Sequence, residues 1–156
     1  MNQENYILEL AEKIIPASWK ICQNLEDMDF NNPLILNINL IINEKDNKYL
    51  GYTSGAVESG HCPLIIYQNK DFSIEATLLH ELSHIAVKRW VAWKKQQLYE
   101  DMHGPTFQRA YKTMLSRAWK YINEGVINEI EIEIEYYKYT KGVSHLKGDN
   151  CSKTAS

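Results

Sequence analysis

His80 and His84 flank an acidic residue in the pentapeptide His80-Glu81-Leu82-Ser83-His84. Four residues make about one helical turn, so on a helix both imidazoles leave the same face, with Cβ atoms about 5–6 Å apart. One zinc ion can then reach a ring nitrogen of each at about 2.0–2.1 Å. Glu81 leaves the helix about 100° further round, outside that ligand pair but within reach of a water on the ion. Such a set supports metal-assisted hydrolysis, with Glu81 as the base.

Catalytic zinc usually takes three protein ligands. The next stretch that offers one is Glu100-Asp101-Met102-His103-Gly104-Pro105-Thr106-Phe107. Residues 85–102 give the first helix room to finish and the chain room to turn back. Gly104 lets the backbone come close, and Pro105 suits the first turn of a new helix. The candidates for the third ligand, in order, are His103, Glu100 and Asp101, since a carboxylate can replace an imidazole.

Taken together, Thr77-Leu78-Leu79-His80-Glu81-Leu82-Ser83-His84 and His103-Gly104-Pro105-Thr106-Phe107 resemble the SprT-like (Spartan-type) zinc metallopeptidases. The resemblance spans roughly residues 50–122 and is strongest in those two segments. It implies an α+β, zincin-like small metalloprotease domain: an N-terminal helix, a short mixed sheet, the site helix and a following helix. It implies bound Zn²⁺ on His80, His84 and His103, Glu81 as catalytic base, and a protein or peptide substrate. For several members the substrate is a protein attached to DNA. Many members also append a cysteine-rich zinc ribbon. Here Cys22, Cys62 and Cys151 are the only cysteines, with no C-x-x-C pair, so no second zinc site can be built from them.

The elements that must position these residues follow from periodicity. Ile74, Leu78, Leu82, Ile85 and Ala86 recur at three- and four-residue steps, as a buried helix face requires, and Asp71 or Ser73 is placed to cap that helix. Phe107, Ala110, Tyr111, Met114, Leu115, Ala118 and Ile122 repeat likewise and would anchor a helix behind His103. Upstream, Ile7, Leu10, Ala11, Ile14, Cys22 and Leu25 form one helical stripe interrupted by Pro16, which predicts a kink or two short helices. Strands are expected over 34–42, 49–56 and 62–67. Pro63 cannot donate to a ladder, which places the third strand at an edge or Pro63 at its start. An open edge could hold an extended substrate, so Leu64, Ile65, Ile66 and Tyr67 are the expected substrate-binding residues.

The remaining polar candidates are less constrained. Tyr111, Tyr136 and His61 could assist zinc at the oxyanion, and Asp101, Glu100 and Glu75 could orient the metal histidines. Glu129 to Glu135 alternates with Ile130, Ile132 and Ile134, a period that favours a strand over a helix. Residues 1–141 read as a single domain and 142–156 as a flexible tail.

Composition bounds the class. The chain has 156 residues and a formal net charge of −3. That charge excludes strong duplex binding driven by bulk electrostatics. Lys88, Arg89, Trp90, Trp93, Lys94 and Lys95, with Arg109, Lys112, Arg117 and Lys120, still offer a weak nucleic-acid contact through aromatic stacking and phosphate binding. An odd cysteine count gives no disulfide framework, the N-terminus reads as no signal peptide, and no apolar run spans a bilayer. A cytoplasmic location is the resulting expectation, with no membrane partner; the oligomeric state is not encoded in any motif.

Overall fold

The computed structural model describes residues 2–46, 48–53, 60–69, 72–95 and 97–132. Asn2 opens the first helix, α1 (Gln3–Ile14), by accepting from the Asn5 amide at 2.8 Å. The helix stops where the residue before Pro16 turns extended, Ile15 having ψ 152°. The only helix between Pro16 and Leu36 is the single 3-10 turn Leu25–Asp27. Trp19–Cys22 is instead a short strand, β1, paired in parallel with β2 (Leu36–Asn43). Pairing to a distant segment overrode the local helical stripe, and Leu25, which that stripe would have buried, is exposed.

The sheet is mixed and four-stranded, and the fold is α+β. Two further strands, β3 (Gly51–Thr53) and β4 (His61–Tyr67), complete the order β1-β2-β4-β3. β4 runs parallel to β2 over its whole length and antiparallel to β3 over Leu64–Ile66. β4 is therefore an inner strand, against the expectation of an edge. The amide of Gln68 bonds the Asn43 carbonyl across β2, whereas the amide of Tyr67 bonds Leu50 on the other side. Even-numbered amides of β4 thus serve β2 and odd-numbered ones face β3. Pro63 falls on the odd side, past the described end of β3, so its missing N–H costs no bond to β2.

Helices cover one face of the sheet. Ile21, Leu36, Ile38, Leu40, Cys62, Leu64 and Ile66 point into a core shared with Ile7, Leu10 and Ile14 of α1. The same core takes Leu78, Leu79, Leu82 and Ile85 of α2 (Ile74–Lys94) and Met114, Ala118 and Ile122 of α3 (Pro105–Asn123). Ser73 is the N-cap of α2, accepting from the Ala76 amide at 3.2 Å. From Ala76 to Ile85 every residue of α2 is buried, because the sheet, β3 and α3 enclose it.

Residues 129–132 are helical, which corrects the strand expected there. Asn128 decides it locally: its Oδ1 accepts from the amides of Ile130 and Glu131, the bonds of a helix start. Residues 133–156, with the tail expected after 142, lie outside the described residues. Among the described residues, no helix is long and apolar enough to cross a membrane.

Candidate metal centre

The pentapeptide lies in the middle of α2, with His80 and His84 one turn apart and both buried. Between them Ser83 satisfies its hydroxyl inside the helix, donating to the Leu79 carbonyl at 2.8 Å. His103 arrives from the turn before α3. That turn depends on Gly104: a Cβ there would lie 2.9 Å from the Asp101 carbonyl oxygen, while the Gly104 amide closes the turn on that same oxygen at 2.8 Å. Pro105 then occupies the first turn of α3, and Gln108 reaches back to donate to the His103 carbonyl at 3.2 Å. The H-G-P sequence is thus a tight return whose product is the placement of one imidazole.

The three Nε2 atoms form a near-equilateral triangle. The separations are 3.1 Å for His80–His84, 3.2 Å for His84–His103 and 3.2 Å for His80–His103. Each neutral imidazole Nε2 is either a donor or an acceptor, so three of them cannot all hydrogen-bond one another. A cation at the centre resolves this, since all three can then present lone pairs. The ligand atoms lie close enough to share one metal ion. Protonation of His84 is disfavoured as well. Burial first, then the neighbouring His80, His103 and Lys88, hold His84 well below the ordinary imidazole range.

A single aromatic ring backs the triangle. Phe107, buried on the first turns of α3, has its centroid 5.1 Å from His80, 4.5 Å from His84 and 4.9 Å from His103. Tyr111 stacks behind it at 5.8 Å. Glu81 is fully buried on the side of α2 that meets β3. There the backbone of Gly51 leaves room for it. A Cβ on Gly51 would lie 2.8 Å from Glu81 Cγ, 2.8 Å from Thr77 Cγ2 and 2.9 Å from Glu81 Oε1.

The carboxylates weighed as ligands or orienting groups are engaged elsewhere. Glu100 is exposed and accepts from the Thr106 amide at 2.6 Å, closing the start of α3. That bond and Arg109 hold its carboxyl below the usual range. Glu75 bonds the hydroxyl of Tyr6. Asp101 is exposed, its carbonyl rather than its carboxylate being used in the turn. His61 starts β4 on the face away from the helices, its ring against Phe30. Tyr136 lies outside the described residues.

The segment expected to bind substrate does not offer an edge. Leu64, Ile65 and Ile66 are paired on both sides, by β2 and β3, and Tyr67 is paired to β2 and bonded to Leu50. Leu64 and Ile66 face the core, and Ile65 and Tyr67 face the opposite side. Among the described residues β3 is the outer strand next to the site. The basic cluster is likewise dispersed. Lys88 donates to Thr53, Arg89 to the Leu34 carbonyl, Arg117 to the Ile14 and Ile15 carbonyls, and Lys94 lies over Trp93.

Gly51 and Thr53 were not singled out as site residues by sequence reasoning, and Lys88 was named only within the basic cluster. A glycine inside a β-rich run was the available signal, since it marks a close backbone approach. Comparison with protein-family models, curated proteins and solved structures finds no match to this chain.

Proposed function

We propose that the chain is a zinc-dependent metallopeptidase of the SprT-like, zincin type that hydrolyses peptide bonds in protein substrates. The observation that carries this reading is the triangle of Nε2 atoms at 3.1–3.2 Å beside a buried glutamate on the same helix. Tetrahedral zinc with ligands at about 2.0–2.1 Å separates them by about 3.3 Å, so the three imidazoles fit with almost no movement. Three imidazoles, with no fourth His, Cys, Asp or Glu in the group among the described residues, match a hydrolytic centre that keeps one position for solvent rather than a closed structural one.

When bound there, the ion supplies Lewis acidity and lowers the pKa of a coordinated water towards about 7. The chain does the rest. Glu81 accepts the proton of the attacking water and delivers it to the leaving amine. Gly51 and Thr77 fix the height of that carboxylate, so it meets the water from one direction. Phe107 and the core behind it keep bulk solvent away from the ligand side, which strengthens the electrostatics of the step. An extended substrate adds to β3, not β4, through backbone hydrogen bonds. Protein is the substrate class this arrangement favours. Lys88, Arg89 and Arg117, three of the eight cations of the basic cluster, are bound to the chain's own backbone oxygens.

The test pairs metal analysis with proteolysis. Protein purified without chelators is expected to hold one zinc per chain and to cleave β-casein. Glu81→Gln is expected to keep the zinc and lose cleavage. Zinc without cleavage would make the chain a silent binding module; absence of zinc would remove the reading altogether.

A further inference from the structure

Charge is segregated along this chain. From Leu82 to Asn123 eight residues are Lys or Arg and only Glu100 and Asp101 are acidic, a local charge of +6. The remainder holds nine cations and eighteen acids, so it carries −9 within the net −3 of the whole. α2 beyond Glu81 and all of α3 contain no Asp or Glu. An imbalance of this size gives one part of the surface a positive field that steers anionic partners.

In that region α2 and α3 leave a groove between them, a cavity of about 300 Å³. Ala86 and Val87 of α2 and Ala110 and Met114 of α3 give it an apolar lining, with Trp90 and Arg109 on its walls. Trp90 leaves 40% of its surface in water beside those apolar neighbours. Val87 follows His84 by three residues, and Thr106, also in the lining, follows His103 by three. The groove therefore starts one helical turn from two corners of the imidazole triangle. Arg109 is exposed and donates to the Thr106 hydroxyl at 3.2 Å, a bond that uses one of five guanidinium N–H groups. Glu100 attracts Arg109 but is itself committed to the Thr106 amide. Lys94 lies one turn beyond Trp90 on the same side of α2.

We propose that this groove docks an acidic peptide segment through one large apolar side chain, which enters beside Trp90 while flanking carboxylates meet Arg109 and Lys94. A cavity of this size is at the small end of the about 300–1,000 Å³ of ligand pockets, and suits one side chain with part of its neighbours. Trp and Arg are also the side chains that most often dominate binding at protein surfaces. A peptide fits better than a nucleic acid for two reasons. The lining is a socket with one cation, whereas a nucleic-acid strand needs a track of them. Lys88, Arg89 and Arg117, which would extend such a track, are bonded to the chain's own backbone oxygens. The docking does not depend on the metallopeptidase reading; where both hold, it recruits acidic protein segments beside the metal centre.

The test is fluorescence anisotropy with the full-length chain and a fluorescein-labelled peptide of glutamates around a central Phe-Leu pair. Saturable binding is expected. Replacing the glutamates by lysines, or the Phe-Leu pair by Gly-Ser, is expected to weaken it about tenfold. Trp90→Ala and Arg109→Gln in the protein are each expected to do the same. Both residues are exposed, and the melting temperature of each variant checks its fold. Equal affinity for the Gly-Ser peptide would leave charge alone as the cause and overturn the proposal. Equal or tighter binding of an oligothymidylate of the same charge would make the face a nucleic-acid surface and overturn it too. So would unchanged affinity in both variants, or no binding by the wild type.

Discussion

Gly51 and Glu81 share one space: the strand residue has no side chain where the helix residue places its carboxylate, and a Cβ would meet Glu81 Cγ at 2.8 Å. Neither Glu81 nor Thr77 can step aside, since both are buried. Gly51→Ala is therefore expected to destabilise the fold by about 1–3 kcal/mol, the cost of overpacking. Displacing the base should also lower hydrolysis by about 10²-fold while zinc content stays at one per chain. Urea denaturation, metal analysis and casein cleavage together check this; full activity in the variant would show that Glu81 tolerates displacement.

His103 and Glu100 sit three residues apart, one in the Nε2 triangle and the other bonded to the Thr106 amide. His103→Ala removes one corner of the triangle and is expected to weaken zinc binding by more than the about 10–100-fold typical of losing an outer hydrogen-bond partner. Glu100→Gln should leave zinc affinity unchanged, because Glu100 bonds the Thr106 amide at the start of α3. Competition with a chromogenic chelator distinguishes the two, and equal losses would return the carboxylate to the ligand set.

Tyr6 gives the fold an alkaline limit. Burial, then the charge of Glu75 and the hydrogen bond to it, push the phenol up from 10.0 to about 12. The folded chain keeps this proton where the unfolded chain loses it. The contribution is thus complete below about pH 10 and disappears as pH rises from there through about 12. Wild-type protein should lose more stability than Tyr6→Phe between pH 9 and pH 11 in urea titrations. Parallel curves for the two would disconnect Tyr6 from the alkaline limit.

Glu131 closes the N-terminus of α2 from a distant part of the chain. It accepts from the amide and the hydroxyl of Ser73, where the helix dipole also favours negative charge. Glu131→Ala is expected to cost about 0.5–2 kcal/mol, as loss of a helix cap does. Zinc affinity should be unaffected, because His80 and His84 lie well inside the helix and His103 is held by the turn before α3. Thermal denaturation with and without zinc reads both effects, and an unchanged midpoint would show the contact to be superficial.

The clustering of the three histidines was legible because its geometry is local. His80 and His84 are held by one helix whose periodicity and Ser73 cap are written in adjacent residues, and His103 by a turn that Gly104 and Pro105 define. The position of β4 was not legible in the same way. Strand order depends on which distant segments pair, and Pro63 read as an edge signal although its missing donor faces the short strand rather than β2. Trp19–Cys22 was hidden for the same reason: four residues carry too little pattern to outweigh a stripe that continues from α1.

The Ile and Glu alternation after Asn128 fits either a strand or a helix, since Ile130 is exposed and Ile132 buried in a helical turn. The side chain of Asn128 selects between them. The contacts of the basic residues were illegible for another reason. Composition marks where cations are in the chain, but Arg117 reaches back to α1 and Arg89 to Leu34, contacts that only the tertiary structure creates.

Phe107 touches all three imidazoles from α3, and α3 also brings in His103. If an ion binds the three imidazoles, its occupancy and the seating of one helix on the other would be a single thermodynamic event. A chelator should do more than silence the chain: it should loosen the α2–α3 contact, lower the melting temperature with the logarithm of the free-ion concentration as that concentration falls, and expose the aromatic wedge to quenchers and proteases.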